Sequence, residues 1–161
     1  MIDIKNLAHL AEKSEQASKQ FFKKNKKKIE KMDAFIHEQH AIFSREYDCL
    51  KCANCCRTLG PAVYDKDIER IAKGLKIKPV DVISKYFKCD EEGDYVFQSM
   101  PCPFLMHDNY CAIYEFRPKA CREYPHTDRK RFSQIVMLSL KNTYTCPIVY
   151  EVIEKIKSST N

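Results

Sequence analysis

Glycine is scarce in this chain: Gly60, Gly74 and Gly93 are the only three in 161 residues. Three scattered glycines cannot build a phosphate-cradling P-loop or a dinucleotide fingerprint. A G-x-S-x-G elbow is also missing, which removes the hydrolases that depend on one. The opening residues MIDIKNLAHLAEKSEQ carry early acids and no apolar core of the kind a secretory signal needs. The longest apolar stretch, around Ile135–Leu138, is far too short to span a bilayer. These absences predict a cytoplasmic chain with no membrane partner. In that reducing setting disulfides are rare.

Cysteine, by contrast, is abundant. There are nine, and four of them fall in the eight-residue run CLKCANCC: Cys49, Cys52, Cys55 and Cys56. Thiols at two-residue spacing converge, because the intervening turn brings both side chains to one side, and that is the local geometry of a thiolate metal site. The odd count leaves one thiol over in any disulfide scheme. Metal ligation is therefore the expected use of most of these thiols. Cys49, Cys52 and Cys55 match the C-x2-C-x2-C spacing that supplies three thiolates to an iron–sulfur cluster. Leu59 stands where bacterial ferredoxins carry the next cysteine, so a fourth ligand must be remote. It also stands where the C-x3-C-x2-C motif of radical adenosylmethionine enzymes would need a third cysteine, and that motif is absent. Cys102 and Cys146 each precede a proline, as the last cysteine of a ferredoxin run does. Neighbouring side chains tend to diverge, so Cys55 and Cys56 are expected to serve different metals, or one of them none. The eight cysteines other than Cys89 suffice for two four-thiolate sites, or for one cluster with spare thiols. The expected cofactor is a 4Fe-4S cluster or Zn2+.

The net charge of +6 is uneven, with nine lysines and four acids in residues 1–32. Residues 3–46 lack both glycine and proline, and Leu7, Leu10, Ala11, Phe21, Phe22, Ile29, Met32, Ile36, His40 and Phe43 form a helical stripe. The pattern predicts one long helix, or two with a break near Lys23–Lys28. The run KKNKKK reads as a solvated helix face, with nucleic acid or an acidic partner as the sharper but less favoured use. Farther on, Asp65 or Asp67 is expected to cap a helix through Ile68, Ile71, Ala72 and Leu75 that closes at Gly74. Lys78-Pro79 opens a second helix with Val80, Val82, Ile83, Tyr86 and Phe87 inward. A turn at 91–94 leads to a strand at Tyr95–Phe97. Residues 101–114 read as a small hairpin turning at Asp108-Asn109, and Arg117-Pro118 starts a helical turn carrying Cys121. The segment Phe132–Leu140 is ambiguous between strand and helix. Pro147 opens a C-terminal helix with Ile148, Val149, Val152, Ile153 and Ile156 buried. The expected fold class is mainly α with a small β-hairpin: a basic helical leader at 1–46, then a cysteine-rich metal-centred domain at 47–161.

Histidine contributes less. His37 and His40, three residues apart, read as a surface or half-buried pair. His107 and His126 flank the distal cysteines as weaker candidates for a ligand or a donor to one. Arg57, Arg117 and Arg122 are placed to offset thiolate charge, or else Arg117 and Arg122 pin Glu115 and Glu123.

Two long motifs, YDCLKCANCCR at 47–57 and PCPFLMHDNYCAIYEFRPKACREYP at 101–125, followed by TCP at 145–147, resemble the YkgJ-type CxxCxxCC family of zinc- or iron-chelating proteins. The flagellin lysine N-methylase is a relative of that family. The resemblance spans about Tyr47 to Pro147. It implies Cys49, Cys52, Cys55, Cys56, Cys102, Cys111, Cys121 and Cys146 as metal ligands and leaves Cys89 outside. Ala53 departs from the glycine that many relatives carry. The expected function is metal binding in metal handling, redox chemistry or a complex with a protein partner. A protein methyltransferase-like enzyme and a zinc-stabilised nucleic-acid or protein binding module are the alternatives.

Overall fold

The computed structural model describes residues 2–160. It is mainly helical with one two-stranded antiparallel sheet, as the sequence pattern implies. In chain order the elements are α1 (Ile4–Lys24), α2 (Lys26–Ile29), α3 (Asp33–Glu46), α4 (Cys49–Cys52), α5 (Asn54–Thr58), α6 (Asp65–Leu75), α7 (Pro79–Tyr86), β1 (Phe87–Cys89), β2 (Tyr95–Phe97), α8 (Lys119–Glu123), α9 (Val136–Asn142) and α10 (Pro147–Thr160). The chain forms two compact units. One contains the residues up to Cys52 and those from Pro125 onward; the other is Ala53–Tyr124. Among the described residues, no helix is long and apolar enough to cross a membrane.

The first unit is a helical assembly in which α10 packs against α1, α3 and α9. Asp3 caps α1 by accepting the Lys5 N–H at 3.0 Å. The helix breaks where the lysine run begins. The Asn25 side chain donates to the Phe21 carbonyl at 2.9 Å, competing with the backbone ladder as asparagine does at helix ends. The lysines of the run end α1 and form the first three residues of α2, and Lys28 Nζ donates to the Thr160 carbonyl. Pro147 opens α10 in the first-turn position where its missing N–H costs nothing. Ile148, Val149, Val152, Ile153 and Ile156 are all buried, with Leu7, Ala11, Ile36, Phe132 and Leu140 also buried in this unit. The ambiguous 132–140 segment resolves as a 3₁₀ turn, Phe132–Ile135, running into α9. Asp33 holds its start by accepting the N–H groups of Arg131 and Phe132 at 2.6 and 3.1 Å.

The second unit is built on α6, α7 and the sheet around a core of Val63, Ile68, Ile71, Ala72, Val82, Phe87, Phe97, Phe104 and Ile113. Three expectations are corrected here. First, α6 does not close at Gly74. Lys76 takes the left-handed conformation, and the Ile77 N–H returns to the Ala72 carbonyl at 3.1 Å. Gly74 sits inside the helix because the Phe116 ring occupies the space a Cβ would fill. Second, Val80 is 64% exposed. At 100° per residue it lies about 200° from the buried Val82, on the far side of the helix. Third, Phe87 leaves α7 and begins β1, which pairs with β2 through Phe87–Phe97, Lys88–Val96 and Cys89–Tyr95. The sheet is therefore at 87–97. Residues 101–114 form only a single bridge, Leu105–Cys111, around the expected turn. Pro101 and Pro103 lack the N–H groups a longer ladder would require.

Candidate metal centre

Five of the eight candidate thiols belong to the unit 53–124. Cys55 and Cys56 lie on α5, whose entry residue Ala53 is held in the left-handed conformation at φ 44°. A Cβ in that conformation costs roughly 1–2 kcal/mol, a cost a glycine would not carry. The Cys56 carbonyl accepts the Cys102 N–H at 2.8 Å, which ties the first cysteine motif to the second. The Leu105 N–H closes a turn onto the Cys102 carbonyl at 3.0 Å, and the Ala112 N–H reaches the Phe104 carbonyl at 2.8 Å. Cys102 and Cys111 both pack on the apolar core of this unit. Cys121 is carried by α8.

A buried carboxylate positions α8. Asp67, 2% exposed, accepts from Arg70 Nη2 at 2.6 Å, from the Lys119 N–H at 2.9 Å and from the Tyr64 N–H at 3.2 Å. Arg70 Nη2 also donates to the Arg117 carbonyl at 2.9 Å. One carboxylate thus closes the start of α6 and fixes the Arg117–Lys119 segment two residues before Cys121. The sequence marked Asp67 only as a possible helix cap; its i,i+3 partner Arg70 was the available sign of more.

The thiols of this unit act on one another. The Cys56 thiol is drawn down to about 7, first by its hydrogen bond with Cys55, against burial and helped by Arg57 and Arg117. Burial pushes Cys102 up to about 11, and the charges of Cys56 and Cys111 add to this. Burial likewise raises Cys111, which feels Cys56. Cys121 is pushed up to about 12 by burial, then by Cys102, Cys56 and Cys111. These four thiols therefore lie within electrostatic reach of one another. The Cys55 and Cys56 sulfurs are 4.0 Å apart. The edge of a tetrahedral zinc–thiolate site is about 3.8 Å, from Zn–S bonds of about 2.3 Å. Arg117 stacks over the Tyr114 ring, 3.5 Å from its centroid, and Arg57 bonds to Asn109. Glu123 pairs with Lys119 at 3.6 Å rather than with Arg122.

The remaining three candidates lie in the other unit. Cys49 and Cys52 end the single turn of α4, whose start Asp48 caps by accepting the Leu50 N–H at 3.0 Å. Cys146 precedes Pro147, is 7% exposed, and accepts from the N–H groups of Ile148 and Val149 at the start of α10. Burial pushes its thiol up to about 12, with Cys49 and Cys52 contributing. Cys49 and Cys52 thus lie within electrostatic reach of Cys146. Cys89 lies exposed on β1. His37 and His40 hold a turn instead. His40 Nδ1 shares a hydrogen bond with Thr127 Oγ1 at 2.7 Å, and His37 Nε2 reaches the Arg129 carbonyl at 3.2 Å. His126 occupies a left-handed position at φ 69° in that same turn, and His107 lies on the Met106–Tyr110 turn.

Among the described residues, no three Cys, His, Asp or Glu side chains close on a point where one ion is held. The thiols lie within electrostatic reach of one another without forming a finished coordination sphere. In kind and number they nevertheless suit zinc or iron, both of which take thiolate sulfur. Four thiolates on a divalent ion carry a formal charge of about −2, and Arg57 and Arg117 are the positive groups beside Cys56 that offset it.

No curated protein and no solved structure matches the chain. The family model CxxCxxCC, described as "Putative zinc- or iron-chelating domain", matches residues 48–147. That stretch is well over half of the 161 residues and includes the four thiols of 53–124 that act on one another, as well as Cys49, Cys52 and Cys146. The chain is thus a member of the CxxCxxCC family.

Proposed function

We propose that this protein binds zinc or an iron–sulfur cluster through clustered cysteine thiolates, and serves in metal handling, redox chemistry or a complex with a protein partner. The supporting observation is that Cys56, Cys102, Cys111 and Cys121, far apart in sequence, belong to one compact unit and lie within electrostatic reach of one another. They are the ligands assigned to the 53–124 unit, with Cys55 beside them. Cys49, Cys52 and Cys146 are the ligands assigned to the other unit. Bound there, the metal supplies a cross-link between loop segments and, if it is a cluster, a one-electron redox centre.

A serine series tests this. Cys121→Ser and Cys56→Ser are expected to lose most of the metal of the 53–124 unit, and Cys52→Ser to lower the total. Cys89→Ser is expected to retain the wild-type content. Metal per chain is measured beside circular dichroism, so that loss of ligand is separated from loss of fold. Full metal content in Cys121→Ser, or equal loss from Cys89→Ser, would sink the assignment.

A further inference from the structure

The 53–124 unit contains a cavity of about 530 Å³ that the thiol centre does not use. Its walls are Tyr64, Lys66 and Arg70 from the start of α6, and Lys119 and Arg122 from α8. Two carboxylates, Asp65 and Asp67, also line it. Asp67 brings little negative potential, because Arg70, the Lys119 N–H and the Tyr64 N–H already take up its oxygens. The Lys119–Glu123 pair is 3.6 Å long, with both side chains more than half exposed, so it binds the ammonium only weakly. Among the described residues, no hydrogen bond or ion pair engages the side chains of Lys66 and Arg122. With Arg70 and Asp67 committed to each other, three cations, Lys66, Lys119 and Arg122, face one concave space against a single uncommitted carboxylate, Asp65. A concave wall of one sign focuses the field and concentrates the opposite charge. The volume lies within the range of small-molecule sites, about 300–1,000 Å³. The exposed Tyr64 ring gives the cavity a flat face.

We propose that this cavity binds a phosphate-bearing small molecule, with Lys66, Lys119 and Arg122 as its donors. Three cations from two helices exceed what one carboxylate would neutralise and suit the several oxygens of a phosphate. The Arg122 guanidinium can take two of those oxygens at once. Asp67 and Arg70 act as the frame that holds the two helices at this spacing.

The test is calorimetric titration of the metal-replete full chain with inorganic pyrophosphate, at low salt and again at about 0.15 M ionic strength. Saturable one-to-one binding is expected. Lys66→Gln and Arg122→Gln should each weaken it by about tenfold or more, the loss of one charge-assisted contact. Lys88→Gln, on β1 and outside the cavity wall, should leave it unchanged. Metal content is measured on every sample, so that a disturbed thiol centre next to Arg122 is not read as a lost phosphate site; Lys66 is remote in sequence from any cysteine ligand. Absence of saturable binding overturns the proposal. So does undiminished affinity in both cavity variants, or equal weakening by Lys88→Gln.

Discussion

Asp67→Ala is expected to lower the melting temperature by roughly 10 °C, the shift that about 3 kcal/mol produces in a chain of this length. The residue is 2% exposed and satisfies three donors from three separate places in the unit 53–124. Removing it strands the Lys119 N–H and leaves Arg70 without its carboxylate. Breaking a buried ion pair costs about 3–5 kcal/mol, and the lower end applies because the Arg70 side chain is 29% exposed and regains some water. Asp67→Asn keeps the shape and part of the hydrogen bonding, so it should fall between wild type and alanine. Burial works to raise the Asp67 pKa, but Arg70 and the N–H groups of Lys119 and Tyr64 outweigh it and hold it below the ordinary value. A carboxylate depressed in the folded state stabilises above its unfolded pKa, and that contribution is lost as pH falls through the folded pKa. Wild type should therefore lose stability in the acid range more steeply than Asp67→Asn. Thermal melts at several pH values check both statements, and a wild-type-like melt for Asp67→Ala would refute them. Because α8 hangs on Asp67, the same variant should also hold metal less tightly at Cys121.

Stripping the metal is expected to have the larger effect still. In residues 98–124 the only regular structure is a single bridge, a 3₁₀ turn at Tyr114–Phe116 and the five-residue α8. Cys102, Cys111 and Cys121 are spaced along that stretch, so one bound ion or cluster would tie its parts to each other and to α5. Metal binding of this kind is folding free energy, because the ligand set does not exist in the unfolded chain. Chelation should broaden the unfolding transition and lower its midpoint by well over the Asp67→Ala shift. Backbone amides of 98–124 should exchange fastest, while those of α10 stay protected. Thiolates must lose protons to bind, so metal retention should also weaken as pH falls. A chelated sample that melts like the untreated protein, with equal protection across 98–124, would contradict the structural role given to the metal.

Local elements were largely readable because their signals are local. Pro147 and the 3–4 spacing behind it mark α10 and its five buried positions; Pro79 marks α7; Asn25 and the lysine run mark the break after α1. The Asp108-Asn109 turn also forms, with Asp108 Oδ1 accepting the Tyr110 N–H at 3.0 Å and Asn109 at φ 68°. What failed to show was decided by partners distant in the chain. Gly74 looks like a helix stop, but its neighbour Phe116 lies 42 positions on. Phe87 fits the apolar face of α7 equally well, and only its pairing with Phe97 draws it into a strand. For the candidate site, the cysteine motifs named the thiols but not their grouping. The spacing of the eight cysteines left open two four-thiolate sites or one cluster with spare thiols, because which thiols share a metal is decided by chain segments far apart in sequence. Asp67 and Arg70 lie outside both cysteine motifs, and their i,i+3 spacing marks an ion pair on one helix face without naming α8 as what it supports.

Metal analysis of anaerobically purified protein, together with a visible absorption spectrum, bears most directly on whether the clustered thiols hold metal. Stoichiometric zinc in a colourless sample, or about four irons and sulfides per chain with a broad band near ~400 nm, is the expected result. Protein that is folded, reduced at all nine cysteines and free of stoichiometric zinc or iron would contradict it.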